Sequence, residues 1–243
     1  AVFNEASADV DFRIEGNGDA NTFFLDGEVD RIYLGHNANT NINGLDARLQ
    51  ISGTSKDQSA LSLSRYSADA NPPSIAFAKS RNASIAGNTI VQSGDILGRI
   101  RFAGADGGDF GNAAAQIDAV VDGTPGVNDM PGRLSFSTAA DGATSATERM
   151  RISSAGTVLV GKTAEGTATD GIELNRNDII VVTTDGDSSL LLNRKSSDGD
   201  IINFRKDNSA VGSIGTTSGI LTINAAGTAT SVAGIPFYST GGN

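Results

Sequence analysis

Apolar and polar residues alternate along this chain in short runs that glycine and aspartate interrupt. The clearest run spans Glu148 to Gly161, Glu-Arg-Met-Arg-Ile-Ser-Ser-Ala-Gly-Thr-Val-Leu-Val-Gly. Met150 and Ile152 alternate with Arg149, Arg151 and Ser153, the period of two that a half-buried strand requires. Ser154-Ala155-Gly156 supplies turn chemistry, because glycine takes a positive φ without steric cost. Thr157-Val158-Leu159-Val160 resumes the strand with β-branched residues that suit a pleated surface. The pattern predicts a β-hairpin that Gly161 closes.

The same unit recurs. An arginine followed by apolar, any and apolar residues opens runs at Arg31, Arg48, Arg99, Arg133 and Arg149. Residues 1–35 read as one compact β segment, in which Val10, Phe12 and Ile14 alternate with Asp11 and Arg13. Glu15 to Asp19 is a turn cluster, and Phe23-Phe24-Leu25 leads through Asp26-Gly27 into the strand at Arg31. His36 to Asn41 is a polar connector. The one helix candidate, Ala113-Ala114-Ala115, is too short to stand alone.

An internal duplication organises the rest. Gly44-Leu45-Asp46 is matched by Gly171-Ile172-Glu173, and Ser59–Arg65 by Ser188–Arg194. Ile75–Lys79 is matched by Ile202–Lys206, and Leu97–Ile100 by Val211–Ile214, in the same order. The expected organisation is an N-terminal β segment over 1–43, a first repeat unit over 44–170 with an insertion at about 103–147, and a second, shorter unit over 171–243. The insertion holds an alternating strand, Gln116 to Val121, and a proline- and glycine-rich loop from Gly123 to Gly132 that cannot sustain a ladder.

Composition narrows the class. The chain has 243 residues, no Cys, no Trp, 30 Gly, 5% aromatic residues and a formal charge of −10. Its apolar residues are chiefly Ala, Ile, Val and Leu, which favours thin layered β structure over a thick globule. Absence of Cys excludes a disulfide framework and thiol-bound metal. The acidic balance and dispersed basic residues argue against binding a phosphate backbone. No apolar run approaches the ~20 residues that a membrane-crossing helix needs. Short strands of this kind form a sandwich, a solenoid or an intertwined oligomer. Unequal unit lengths oppose a solenoid, and small core residues oppose a monomeric sandwich. Winding together with symmetry mates closes the strand edges, so a homotrimer is the physical default.

Little chemistry stands out, and no catalytic, cofactor or metal residue is assigned. His36 is the only histidine and has no nucleophile pattern near it, so it reads as a solvated loop residue. The turns at Asp106-Gly107-Gly108-Asp109, Asp185-Gly186-Asp187 and Asp198-Gly199-Asp200 offer hard oxygen ligands to calcium. None matches the twelve-residue calcium loop, and Asp-Gly is a common hairpin turn. The arginines that open strands read as partners of nearby Asp or Glu rather than glycan binders. Recognition is expected on exposed loops. The candidate receptor contacts are Tyr66 beside and Asn71 within the Ser67–Pro73 loop, Phe110 beside the Asp106 turn, and Asn128 and Asp129 in the Gly123–Gly132 loop.

With these residues laid out, the sequence resembles bacteriophage tail-fibre and virion-fibre repeat proteins of the marine and cyanobacterial type. The resemblance lies in Glu148–Gly161, Asp122–Thr138 and Gly186–Gly215 and extends over most of the chain from Asp9 to Ile223. In such proteins the Glu-Arg-Met-Arg-Ile hairpin often ends Gly-Ile-Gly; here it ends Leu159-Val160-Gly161. The resemblance implies an all-β, elongated, intertwined homotrimeric fibre, extracellular as part of the virion tail. It implies a structural role in host attachment, with other virion tail proteins and a host cell-surface glycan or protein as partners. It implies no enzyme activity, cofactor, nucleic acid or membrane insertion. Many such fibres carry a C-terminal chaperone that is cleaved after assembly; nothing here looks like one, and the initial Ala is expected to mark a processed chain or a segment. The rival expectations are a tailspike-like polysaccharide depolymerase and a bacterial extracellular adhesin or filament subunit.

Overall fold

The structure, a computed structural model, describes residues 11–225. The described residues hold fourteen β-strands and no helix. They fall into two units, divided between Thr183 and Thr184.

The first unit contains two sheets. One is four-stranded, with β1 (Phe12–Gly16), β2 (Asp19–Asp26), β3 (Arg31–Leu34) and β4 (Leu49–Ile51) in that order. The first three strands pair antiparallel, as their turns require, whereas β3 and β4 run parallel across the connector that begins at His36. Tyr33 is the core of this sheet. It is 1% exposed, stacks on Phe24 with ring centroids 6.0 Å apart and meets the His36 ring at 4.8 Å. His36 is therefore half-buried rather than solvated, and its Nδ1–H donates to the Ala38 carbonyl at 2.7 Å.

The second sheet is a seven-stranded meander. Its members are β5 (Ile96–Ala103), β6 (Ala113–Val121), β7 (Gly132–Thr138), β8 (Thr147–Ile152), β9 (Val158–Val160), β10 (Gly171–Leu174) and β11 (Ile180–Thr183), each antiparallel to the next. The hairpin predicted from Met150 to Val160 is present: Met150 opposes Val160 and Ile152 opposes Val158. Gly156 takes a φ of +84° in its turn, which is the conformation that calls for glycine there. The alanine run that hinted at a helix opens β6 instead. Gly171, expected to open a new unit, lies in β10 and pairs through that strand with β9.

The second unit holds β12 (Gly199–Lys206), β13 (Ser209–Thr217) and β14 (Ile220–Ala225), an antiparallel sheet in chain order.

Between β4 and β5 the chain runs from residue 52 to residue 95 without a strand. Ser59–Arg65 and Ile75–Lys79 have strand periodicity but join no ladder. Their matched counterparts share local geometry with them. Arg65 and Arg194 each donate from Nη1 to the carbonyl six residues on, Asn71 at 2.9 Å and Asp200 at 3.2 Å. In the second unit Phe204 is the ladder partner of Gly212. In the first, Phe77 lies against Gly98 so closely that a Cβ on that glycine would sit 2.6 Å from the Phe77 Cβ.

Candidate functional site

Antiparallel register across the seven-stranded sheet, interrupted by bulges only in the β5–β6 and β7–β8 pairings, lines up side chains of one kind. Ile100, Ile117, Phe136, Met150, Val160, Ile172 and Val182 oppose one another strand by strand from β5 to β11. Two residues away, and so on the same face, Ala119, Leu134, Ile152, Val158, Leu174 and Ile180 form a second row that starts beside Gly98. The alternation read along the sequence becomes a two-row apolar face. Much of that face is uncovered: Ile100, Leu134, Ile172, Leu174 and Ile180 are 41–70% exposed.

The opposite face is largely polar, and most of its groups are partnered. Arg99 binds Asp118 through Nε at 2.5 Å and Nη2 at 2.7 Å, which raises the Arg99 pKa. Arg151 pairs with Glu148 at 2.5 Å, and Arg133 with Asp122 at 2.8 Å. The side chains of Lys162 and Glu173 are almost wholly buried and 3.5 Å apart. Glu173 also accepts the Gly166 N–H at 2.8 Å and the Asn175 amide at 2.9 Å, and these bonds, the Gly166 one foremost, lower its pKa. Of the arginines that open runs, Arg31, Arg99 and Arg133 pair with carboxylates, as expected, whereas Arg149 donates to the Thr138 hydroxyl at 3.3 Å. A sheet whose polar face is mostly satisfied and whose apolar face is bare inverts the ordinary arrangement of a self-sufficient layer.

The Asp-rich turns use their oxygens internally. Asp106 Oδ1 accepts the N–H groups of Gly108 at 2.8 Å and Asp109 at 3.0 Å. Asp198 accepts those of Ser218 at 2.6 Å and Gly219 at 3.2 Å. Hydrogen bonds to the charged form hold both carboxylates below their ordinary pKa. Among the described residues no group of three His, Cys, Asp or Glu converges on a metal position.

The five candidate contact residues do not gather in one place. Tyr66 stands 96% exposed, which removes it from any core within this chain. Asn71 closes the same loop, where its N–H bonds Asp69 Oδ1 at 2.9 Å. Asn128 and Asp129 form the exposed tip of the β6–β7 connection, Asn128 with a φ of +59° and Asp129 bridged to Gly126. Phe110 lies at the other end of β6, half-buried, with its carbonyl accepting the Asn43 N–H at 2.9 Å. A nine-residue strand separates it from the Asn128 turn, a span of about 30 Å.

Sequence reading missed a groove of about 600 Å³ lined by Ile42, Leu45, Leu49, Ile51, Ile96 and Arg101, among others. The Arg101 Nε is buried without a partner, and its Nη1 donates only a long bond, 3.3 Å, to the Asn43 carbonyl. Arg101 follows Arg99 by two residues, so both lie on the polar face, but Arg101 opposes Gln116 rather than an acid. The groove offers apolar walls and, in the Arg101 Nε, a donor without a partner, with no group placed to move a proton. No protein-family model matches this chain, and no curated protein sequence matches it.

Proposed function

We propose that this chain is a structural segment of a bacteriophage tail fibre, active as a homotrimer that supports host attachment from outside the cell. The observation that carries this reading is the uncovered two-row apolar face of the seven-stranded sheet. Ile100, Leu134, Ile152, Val160, Ile172, Leu174 and Ile180 are each at least 36% exposed. Together they offer apolar surface on the order of 600 Å², the upper end for a typical monomer and approaching the ~800 Å² that each partner buries in a standard interface. Burial against other copies removes that area from water. The two matched arginine latches and the two Phe–Gly contacts support a repeated scaffold, and the fibre resemblance of Glu148–Gly161 supplies the copy number of three.

On this reading the protein is not an enzyme. Its carboxylates serve as partners of arginine and backbone N–H groups, and glycoside hydrolysis would need two of them free across a groove. The exposed tips at Tyr66–Asn71 and Asn128–Asp129 are the surfaces offered to a host glycan or protein, repeated in each copy so that weak contacts add. Other virion tail proteins hold the ends. Light scattering and small-angle scattering on the purified chain test the proposal. A mass of three chains in a rod-like particle is expected; a mass of one chain at micromolar concentration refutes it. Release of reducing ends from host polysaccharide would favour the depolymerase instead.

A further inference from the structure

Two stretches of chain are anchored at their ends and paired to nothing between. Ser59–Ser64 is preceded by Gln58, whose Oε1 accepts the Thr54 N–H at 2.9 Å, and followed by Arg65, which reaches the Asn71 carbonyl at 2.9 Å and Asp69 at 2.5 Å. Ser188–Asn193 is followed by Arg194, which donates to the Ser197 carbonyl at 2.8 Å and the Asp200 carbonyl at 3.2 Å. Among the described residues no hydrogen bond involves the backbone of residues 60–64 or 189–193. Their leucines also lack cover: Leu61 is 65% exposed and Leu190 is 67% exposed.

A strand-patterned stretch with a free row of N–H and C=O groups is a template for another strand. Proteins that must keep such a template single blunt it with charge or proline. Residues 59–64 and 188–193 contain neither, in a chain whose formal charge is −10. That neutrality identifies the partner. Most of this acidic surface would repel a second copy, whereas an uncharged stretch can lie beside its own counterpart without like charges in opposition. The same features occur at both matched positions, each ended by the same arginine latch.

We infer that residues 59–64 and 188–193 are interchain strands, each hydrogen-bonded to a neighbouring copy of this chain. The latches hold them extended, and the ladder closes only on assembly. The inference rests on the multi-copy reading and adds which backbone groups join the copies.

Amide hydrogen exchange on the full chain, resolved to peptides, tests it beside the mass measurement. In the assembled particle, amides of 60–64 and 189–193 are expected to exchange at least about a hundredfold more slowly than in an unstructured peptide. The second measurement uses Leu63→Lys and Leu63→Glu. Each alone is expected to lose assembly, and refolding the two together is expected to restore part of it, because two of the three contacts in a mixed trimer then set opposite charges face to face. An assembled particle with freely exchanging amides at both stretches, and with each single variant assembling normally, overturns the inference and leaves the fibre reading standing. A wild-type mass of one chain overturns both.

Discussion

Gly98→Ala is a test whose sign alone is informative. Glycine inside a strand costs roughly 0.5–1 kcal/mol relative to alanine, so the substitution should stabilise β5 if nothing stood above it. Phe77 stands there. A Cβ on Gly98 would lie 2.6 Å from the Phe77 Cβ and 2.9 Å from its Cγ, closer than carbon atoms approach without something moving. Forcing a methyl group into occupied space costs about 1–3 kcal/mol. The net is a loss of about 0.5–2 kcal/mol, or roughly 1–8 °C in melting temperature for a chain of this size. With no tryptophan in the chain, the assay is urea or thermal unfolding followed by far-UV circular dichroism, at one fixed chain concentration because association shifts the midpoint. In a Phe77→Ala background the obstruction is gone, and Gly98→Ala should then raise stability by the intrinsic ~0.5–1 kcal/mol. A Gly98→Ala protein at least as stable as wild type would refute the packing of residues 75–79 on β5.

Three further expectations follow from the buried and charged groups. Leu159 is 1% exposed, so Leu159→Ala should cost about 2–5 kcal/mol in unfolding experiments, and a loss below about 1 kcal/mol would show the position to be loosely packed. The Arg81 guanidinium foremost, and then the Gln92 N–H, hold the Asp95 carboxyl below its ordinary pKa of 3.8. Its folded pKa is the lower one, so its contribution is complete above the unfolded value and disappears as pH falls through the folded value. Unfolding midpoints measured from about pH 6 down to about pH 2 should therefore drop at the acid end, and less steeply in Asp95→Asn; equal slopes would remove Asp95 from the account. Lys162→Met leaves the Glu173 carboxylate buried beside an apolar chain, and amide exchange in residues 161–171 should accelerate. Adding Glu173→Gln should recover part of the protection, and no recovery would mean that the two side chains are not coupled.

The hairpin from Met150 to Val160 was legible because its two strands, its turn and its pairing partner all lie within fourteen residues of sequence. The apolar face was half legible. Alternation assigned Met150 with Ile152 and Leu134 with Phe136 to one side of each strand, yet only the registers from Ile100 through Val182 show that the sides coincide. Arg99 with Asp118 depended on the same register. Ser59–Arg65 marks where periodicity stops being sufficient. It reports which residues can face one way in an extended chain, whereas a strand also needs a partner, and none is supplied locally. Tyr66 and Phe110 were equivalent as sequence, aromatic residues beside loops. One stands free and the other is half-covered, with its backbone tied to Asn43, a residue 67 positions earlier. The Arg101 groove escaped notice because the residues around it come from the His36 connector, β4 and β5, which no spacing rule brings together.

Every sheet takes its strands in chain order, β1 to β4, β5 to β11 and β12 to β14. Each new strand therefore closes on the one synthesised just before it, the short loops cost little entropy, and formation of the sheets is fast on the timescale of translation. Only β4, which returns to β3 in parallel, must wait for a longer loop to close. A nascent chain can thus finish its meanders one at a time, first to last, as it leaves the ribosome. Such a topology also tolerates editing: deleting or inserting one whole hairpin within β5–β11 shortens or lengthens the sheet by two strands, keeps every pairing antiparallel and changes neighbours only at the junction.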